Sequence, residues 1–109
     1  GLFDDDELAH GLHGGAVETS LMLHLRPDLV RREALADFPS IGRALAARSG
    51  VLGVEKPVGM AWMAQDLHPS GACGDARRAS AEKGRELLEH MADRLAALLD
   101  EVAEQPLPG

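Results

Sequence analysis

The stretch His13-Gly14-Gly15-Ala16-Val17-Glu18-Thr19-Ser20 places two metal-competent side chains, His13 and Glu18, on either side of a glycine pair. Gly14-Gly15 interrupts regular structure and lets backbone come close to a ligand. From Ala16 the pattern turns helical. Leu21, Met22 and Leu25 follow Glu18 by three, four and seven residues, the spacing of one helix face. On that reading Glu18 points inward from the first turn of a helix over 16–25. A buried carboxylate is costly unless it is paired, hydrogen-bonded or metal-bound. The helix dipole offsets about 0.3–1 kcal/mol of that cost, so Glu18 needs a cation or donors. Spacing alone leaves two partners equally open: neighbouring backbone N–H groups that Glu18 would cap, or a metal ion.

Outward from this stretch, composition bounds the rest. The chain has 109 residues and a net charge of −7, with 45% hydrophobic but only 3% aromatic residues. That is the length of one domain or part of one, and Leu, Ala, Val and Met must fill its core. The acidic balance argues against a nucleic-acid surface, which needs clustered Lys and Arg. The single cysteine, Cys73, excludes an internal disulfide framework and fits a reducing, cytoplasmic setting. No segment is apolar for long enough to span a membrane, and no signal peptide is expected at the N-terminus.

Asp4-Asp5-Asp6-Glu7 suits the first turn of a short helix or an exposed acidic turn, and lacks the spaced acids and turn glycine of a hard-cation loop. Pro27 ends the first helix near Arg26 and can begin another turn. Residues 31–39 read as a polar connection. Ser40–Arg48 is predicted as a short helix with Ile41, Ala44 and Leu45 inward, and 51–56 as a weak strand. Val58–Ala64 reads as a strand covered on both sides, since Val58, Met60, Trp62 and Ala64 alternate with Gly59, Ala61 and Met63. Trp62, the only tryptophan, belongs to a core or to a pocket where indole stacks on a planar ligand. His68 and Asp66 lie in the turn-rich stretch 65–75, next along the chain, a position where α/β proteins carry functional groups. Cys73 reads as a small buried residue. Ser80–Glu104 is the second firm helix, capped by Ser80 and striped by Leu87, Leu88, Met91, Leu95, Leu98, Leu99 and Val102. Gly84 in its first turns implies close packing on another backbone.

The chain resembles the C-terminal part of the creatininase (creatinine amidohydrolase) family. His13 to Ser20 is similar to that family's His-Ala-Gly-x-x-Glu-Thr-Ser motif. Leu21–Val30 is similar to the family segment directly after that motif, and Gly71–Gly84 to its glycine-aspartate loop leading into Ala-Thr-Ala-Glu-Lys-Gly, here Ala79-Ser80-Ala81-Glu82-Lys83-Gly84. Gly14 stands where the motif has Ala, and Ala16 where many members have Glu. His10-Gly11-Leu12 does not match the acidic, Trp-containing segment of creatininase itself, so creatinine is not the expected substrate.

The resemblance implies an α/β fold, the C-terminal portion of an α/β/α layered metal-dependent hydrolase. It also implies hydrolysis of C–N bonds in amides, often cyclic, or in formamides. By that likeness His13 is the catalytic histidine that contacts substrate or shuttles a proton, and Glu18 a metal ligand; Trp62 and His68 are candidate substrate contacts. Complete members draw a Glu-x-His pair, an Asp and a His-Gly-Gly-Asn histidine from an N-terminal half that these residues do not include. Residues 1–109 are therefore expected to be the C-terminal part of a single domain, inactive alone. The expected cofactor is a divalent metal (Zn, Mn or Fe) mostly liganded by residues outside this chain. The expected partners are the complementary N-terminal half or chain, a small-molecule amide and further copies in a homo-oligomer. Two alternatives stand beside this: a non-catalytic module that self-associates through 87–102, and a peptidase-type relative acting on a small modified peptide.

Overall fold

The computed structural model describes residues 1–108, a mixture of helices and short strands. Helix α1 (Asp5–His10) begins at Asp4, whose carboxylate accepts the Glu7 N–H at 2.8 Å. Helix α2 spans Ala16–Leu25, the bounds predicted from the glycine pair and Pro27. A single 3-10 turn, Pro27–Leu29, comes next and a second covers Arg32–Ala34. Strand β1 (Asp37–Phe38), helix α3 (Gly42–Arg48), strands β2 (Leu52–Gly53) and β3 (Val58–Gly59), helix α4 (Ala64–Leu67) and strand β4 (Gly74–Asp75) fill the middle. Helix α5 (Ala81–Glu104) closes the order.

The strands form two small pairs. β1 and β4 run antiparallel with Asp37 opposite Asp75 and Phe38 opposite Gly74. β2 and β3 run parallel with Leu52 opposite Val58 and Gly53 opposite Gly59. The polar connection over 31–39 thus holds a strand that its composition does not signal.

The strand expected over 58–64 is cut to its first two residues. Asp66 accepts the Met63 N–H at 2.9 Å and starts α4 one residue later, so a helix cap takes the backbone that would have continued the ladder. Val58 and Met63 are exposed, and the two-sided burial read from the alternation is not formed. In α3 only Gly42 and Leu45 are buried, while Ile41 and Ala44 face outward.

The core is small: Leu45, Val54, Leu67 and Cys73, with Leu12, Met60 and Trp62 packed against it. A second contact holds α2 to α5. Ser20 is fully buried and its hydroxyl accepts the Ser80 N–H at 3.1 Å. Gly84 lies directly on the Ser20 carbonyl, which explains the glycine that helix propensity disfavours there. Beyond this crossing α5 runs free: Met91, Leu95, Leu98, Leu99 and Val102 are each more than half exposed. The radius of gyration, 16.9 Å, exceeds the roughly 13 Å of a compact domain this size. Among the described residues no helix is long and apolar enough to cross a membrane.

Where β4 meets the next turn, Arg77 hydrogen-bonds Asp75 at 2.7 and 2.9 Å and holds its carboxyl below the usual carboxylate range. A lowered folded-state value stabilises above the unfolded value and is lost as pH falls through the folded one. Thermal midpoints measured from about pH 5 downward should therefore fall less steeply in Asp75→Asn than in the parent.

Candidate active site

The loop between α1 and α2 is fixed from both sides before any chemistry is considered. His13 N–H donates to the Cys73 carbonyl at 3.2 Å, and Cys73 N–H to the His13 carbonyl at 2.6 Å, an isolated antiparallel bridge. Gly14 turns the chain with φ of +66°, a left-handed value that costs other residues about 1–2 kcal/mol. Thr19 closes the loop by donating its hydroxyl to the Gly14 carbonyl at 3.3 Å.

This turn folds His13 back towards Glu18. His13 Nδ1 lies 3.7 Å from Glu18 Oε2, and the same oxygen accepts the Gly14 N–H. Both side chains are more than half exposed. Glu18 does not face the core as the helical spacing implied. The buried face of α2 is Ala16, Ser20 and Leu23. It is set by close backbone packing on α5, and the more strongly apolar Leu21, Met22 and Leu25 are left outside it. Glu18 sits with Met22, Leu25, Val30 and Leu35 on the wall of an open groove of about 650 Å³. The hydrogen bond from Gly14 is the capping interaction that spacing left open.

Among the described residues no cluster of three or more His, Cys, Asp or Glu side chains could hold a metal. A catalytic metal site takes about three protein ligands, so His13 and Glu18 fit only as part of a donor set completed from elsewhere.

The other candidates lie apart from this pair. Trp62 is half-buried, packs on the Leu45–Val54–Leu67–Cys73 core and donates its indole N–H to the Val54 carbonyl at 3.0 Å. Trp62 thus lies against the edge of the core. His68 is tied locally: Nδ1 is 2.8 Å from the Ser70 hydroxyl and the ring meets Phe38 edge-on at 5.6 Å. Asp66 caps α4. Cys73 is fully buried, and burial pushes its thiol up. Since the thiolate is the reactive form, we expect maleimide at neutral pH to label Cys73 only after denaturation, as mass spectrometry would report.

Sequence reasoning missed Glu7. The acidic run reads as solvated surface, yet Glu7 is only 6% exposed. Its Oε1 accepts the Ala16 N–H at 2.7 Å and its Oε2 the Asp75 N–H at 2.9 Å. One signal was available: an Asp N-cap with Glu three residues later marks a helix start and singles Glu7 out from its acidic neighbours.

Comparison with known proteins bears on this site. The family model for creatinine amidohydrolase (creatininase) matches residues 1–99. A provisionally assigned creatinine amidohydrolase of Bacteroides fragilis, known from a crystal structure, is 27% identical with a TM-score of 0.71; the match covers 99% of this chain and 40% of that one. No curated protein matches the chain. The chain thus spans well under half the length of the relative it superposes on.

Proposed function

The chain belongs to the creatininase family, and from that premise we propose that it is the C-terminal part of a metal-dependent hydrolase of amide or formamide C–N bonds. Family membership suggests an amidohydrolase. The finer reading rests on one observation: the loop closed by the Cys73 bridge and the Gly14 turn brings His13 within 3.7 Å of Glu18.

The α/β/α layering, completed by a complementary polypeptide, belongs to the same proposal. So does the metal, which when bound supplies an activated water and polarises the amide carbonyl. In this chain one Glu18 oxygen accepts the Gly14 N–H and the side chain is more than half exposed, which leaves the carboxylate accessible to a cation. His13 has its backbone pinned and its ring exposed, the arrangement a proton shuttle or substrate contact needs. Trp62 and His68 have no hydrogen bond to either residue among the described contacts. They enter a substrate site only if the complementary part reaches them.

The test is reconstitution with the N-terminal part of a family member in the presence of zinc or manganese. We expect about one or two divalent ions per pair and a clear loss of metal in Glu18→Ala. His13→Ala should retain metal and lose about 10²–10⁴-fold in hydrolysis of cyclic amides or formamides, the range of general acid–base groups. Equal metal content in Glu18→Ala and parent would sink the ligand assignment.

A second reading is favoured by the exposed apolar stripe of α5: a non-catalytic module that self-associates. It requires that Leu95→Asp or Leu98→Asp reduce the sedimentation mass of the chain to that of a monomer, with metal content unaffected by Glu18→Ala.

A further inference from the structure

Glu7 is the one carboxylate among the described residues that is nearly fully buried, and the reaction proposed above makes no use of it. It lies on α1, in a different element from either candidate catalytic residue. Its two oxygens are divided between two separate segments: Oε1 to Ala16 N–H and Oε2 to Asp75 N–H. Ala16 is three residues after His13 and opens the helix that carries Glu18. Asp75 is two residues after Cys73, the residue whose backbone bridges His13. One carboxylate therefore joins both flanks of the His13 loop.

The surroundings are shaped around that carboxylate. Gly11, Gly15 and Gly74 enclose it, and a Cβ on any of them would collide with Oε1. Ala16 is the first residue of α2, and first-turn N–H groups have no partner inside their own helix. Glu7 supplies it, and its negative charge sits at the positive end of the α2 dipole.

We propose that Glu7 is a positioning residue: it clamps the start of α2 to β4 and so sets where His13 stands relative to Glu18. The functional consequence rests on the amidohydrolase reading; the clamp itself does not. Glutamine has the same shape but one acceptor oxygen, so Glu7→Gln can satisfy only one of the two N–H groups and turns a donor towards the other. Alanine satisfies neither.

The experiment is amide hydrogen exchange on the full chain, resolved by residue. In Glu7→Ala the Ala16 and Asp75 amides should exchange about tenfold faster or more, as loss of a charge-assisted hydrogen bond implies. The Arg26 and Gly84 amides, bonded within their own helices to Met22 and Ser80, should hold their rates. In Glu7→Gln one of the two amides should keep its protection and the other lose it. Unchanged exchange at Ala16 and Asp75 would overturn the clamp. So would acceleration only in step with Arg26 and Gly84, or failure of both variants to fold, since either makes Glu7 a global stability residue. If Glu7→Ala alone fails to fold, the asymmetry in Glu7→Gln decides. Hydrolysis by the reconstituted parent is measured separately. Local loosening in the variants with no hydrolysis in the parent supports the clamp and removes only the amidohydrolase reading.

Discussion

Gly84→Ala should destabilise the chain by about 2 kcal/mol, although alanine is the better helix former by about 1 kcal/mol. The sign is set by the atoms the new methyl would meet. At Gly84 it falls on the carbonyl group of Ser20 and against the Leu21 nitrogen. These are main-chain atoms in the middle of α2, so no side-chain rotation relieves the contact; α2 and α5 must move apart. That movement loosens the Ser80 N–H bond to the Ser20 hydroxyl and leaves a fully buried oxygen short of its donor. Urea unfolding gives the measurement, with Ala92→Gly on the exposed part of α5 as the control. The control should lose about 1 kcal/mol from propensity alone. A Gly84→Ala variant more stable than the parent would show the close α2–α5 crossing to be wrong.

The same crossing explains why one helix was legible and its orientation was not. The bounds of α2 are written in Gly14-Gly15 and Pro27, local signals that act through φ and through a missing N–H. Its buried face is written nowhere in hydrophobicity. Period 3.6 selects Leu21, Met22 and Leu25, but the buried face carries the small Ser20, on whose carbonyl the backbone of α5 rests at Gly84. Close backbone approach outranks side-chain burial here, and it moves Glu18 from the expected interior to the wall of an open groove. The strands were legible only in part, for a different reason: β2 and β3 lie inside the expected stretches 51–56 and 58–64 but are shorter, and β1 and β4 were not foreseen. Each has two residues, too few to display an alternation, and β1 finds its partner in β4, far along the chain, with Asp37 opposite Asp75. In the site, the glycine turn between His13 and Glu18 was legible as a local signal, but the 3.7 Å approach of the two side chains was not, because it follows from Glu18 facing outward. Glu7 was not, because its role is fixed by donors at Ala16 and at Asp75, 68 residues away.

Gly74→Ala is the substitution we expect to cost most, about 3 kcal/mol or more, because two penalties coincide there. Gly74 has φ of +139°, a region essentially closed to residues with a side chain. Its Cβ would also stand 2.6 Å from Glu7 Oε1, 2.8 Å from the Gly15 Cα and 3.0 Å from the Gly11 Cα. Two other glycines separate these terms. Gly71 has φ of +81° but nothing within 4 Å, so Gly71→Ala should cost only the conformational part, about 1–2 kcal/mol. Gly50 has open space and no positive φ; Gly50→Ala should be neutral or stabilise by up to about 1 kcal/mol through the unfolded chain. Denaturation midpoints of the three variants rank the effects. A Gly74→Ala loss no larger than that of Gly71→Ala would mean that the glycine cage around Glu7 yields freely. A larger loss means the cage is rigid, and a rigid cage has a consequence beyond stability. Cys73, whose backbone bridges His13, is the neighbour of Gly74. A displacement at Gly74 therefore passes directly to the histidine on which the proposed hydrolysis depends.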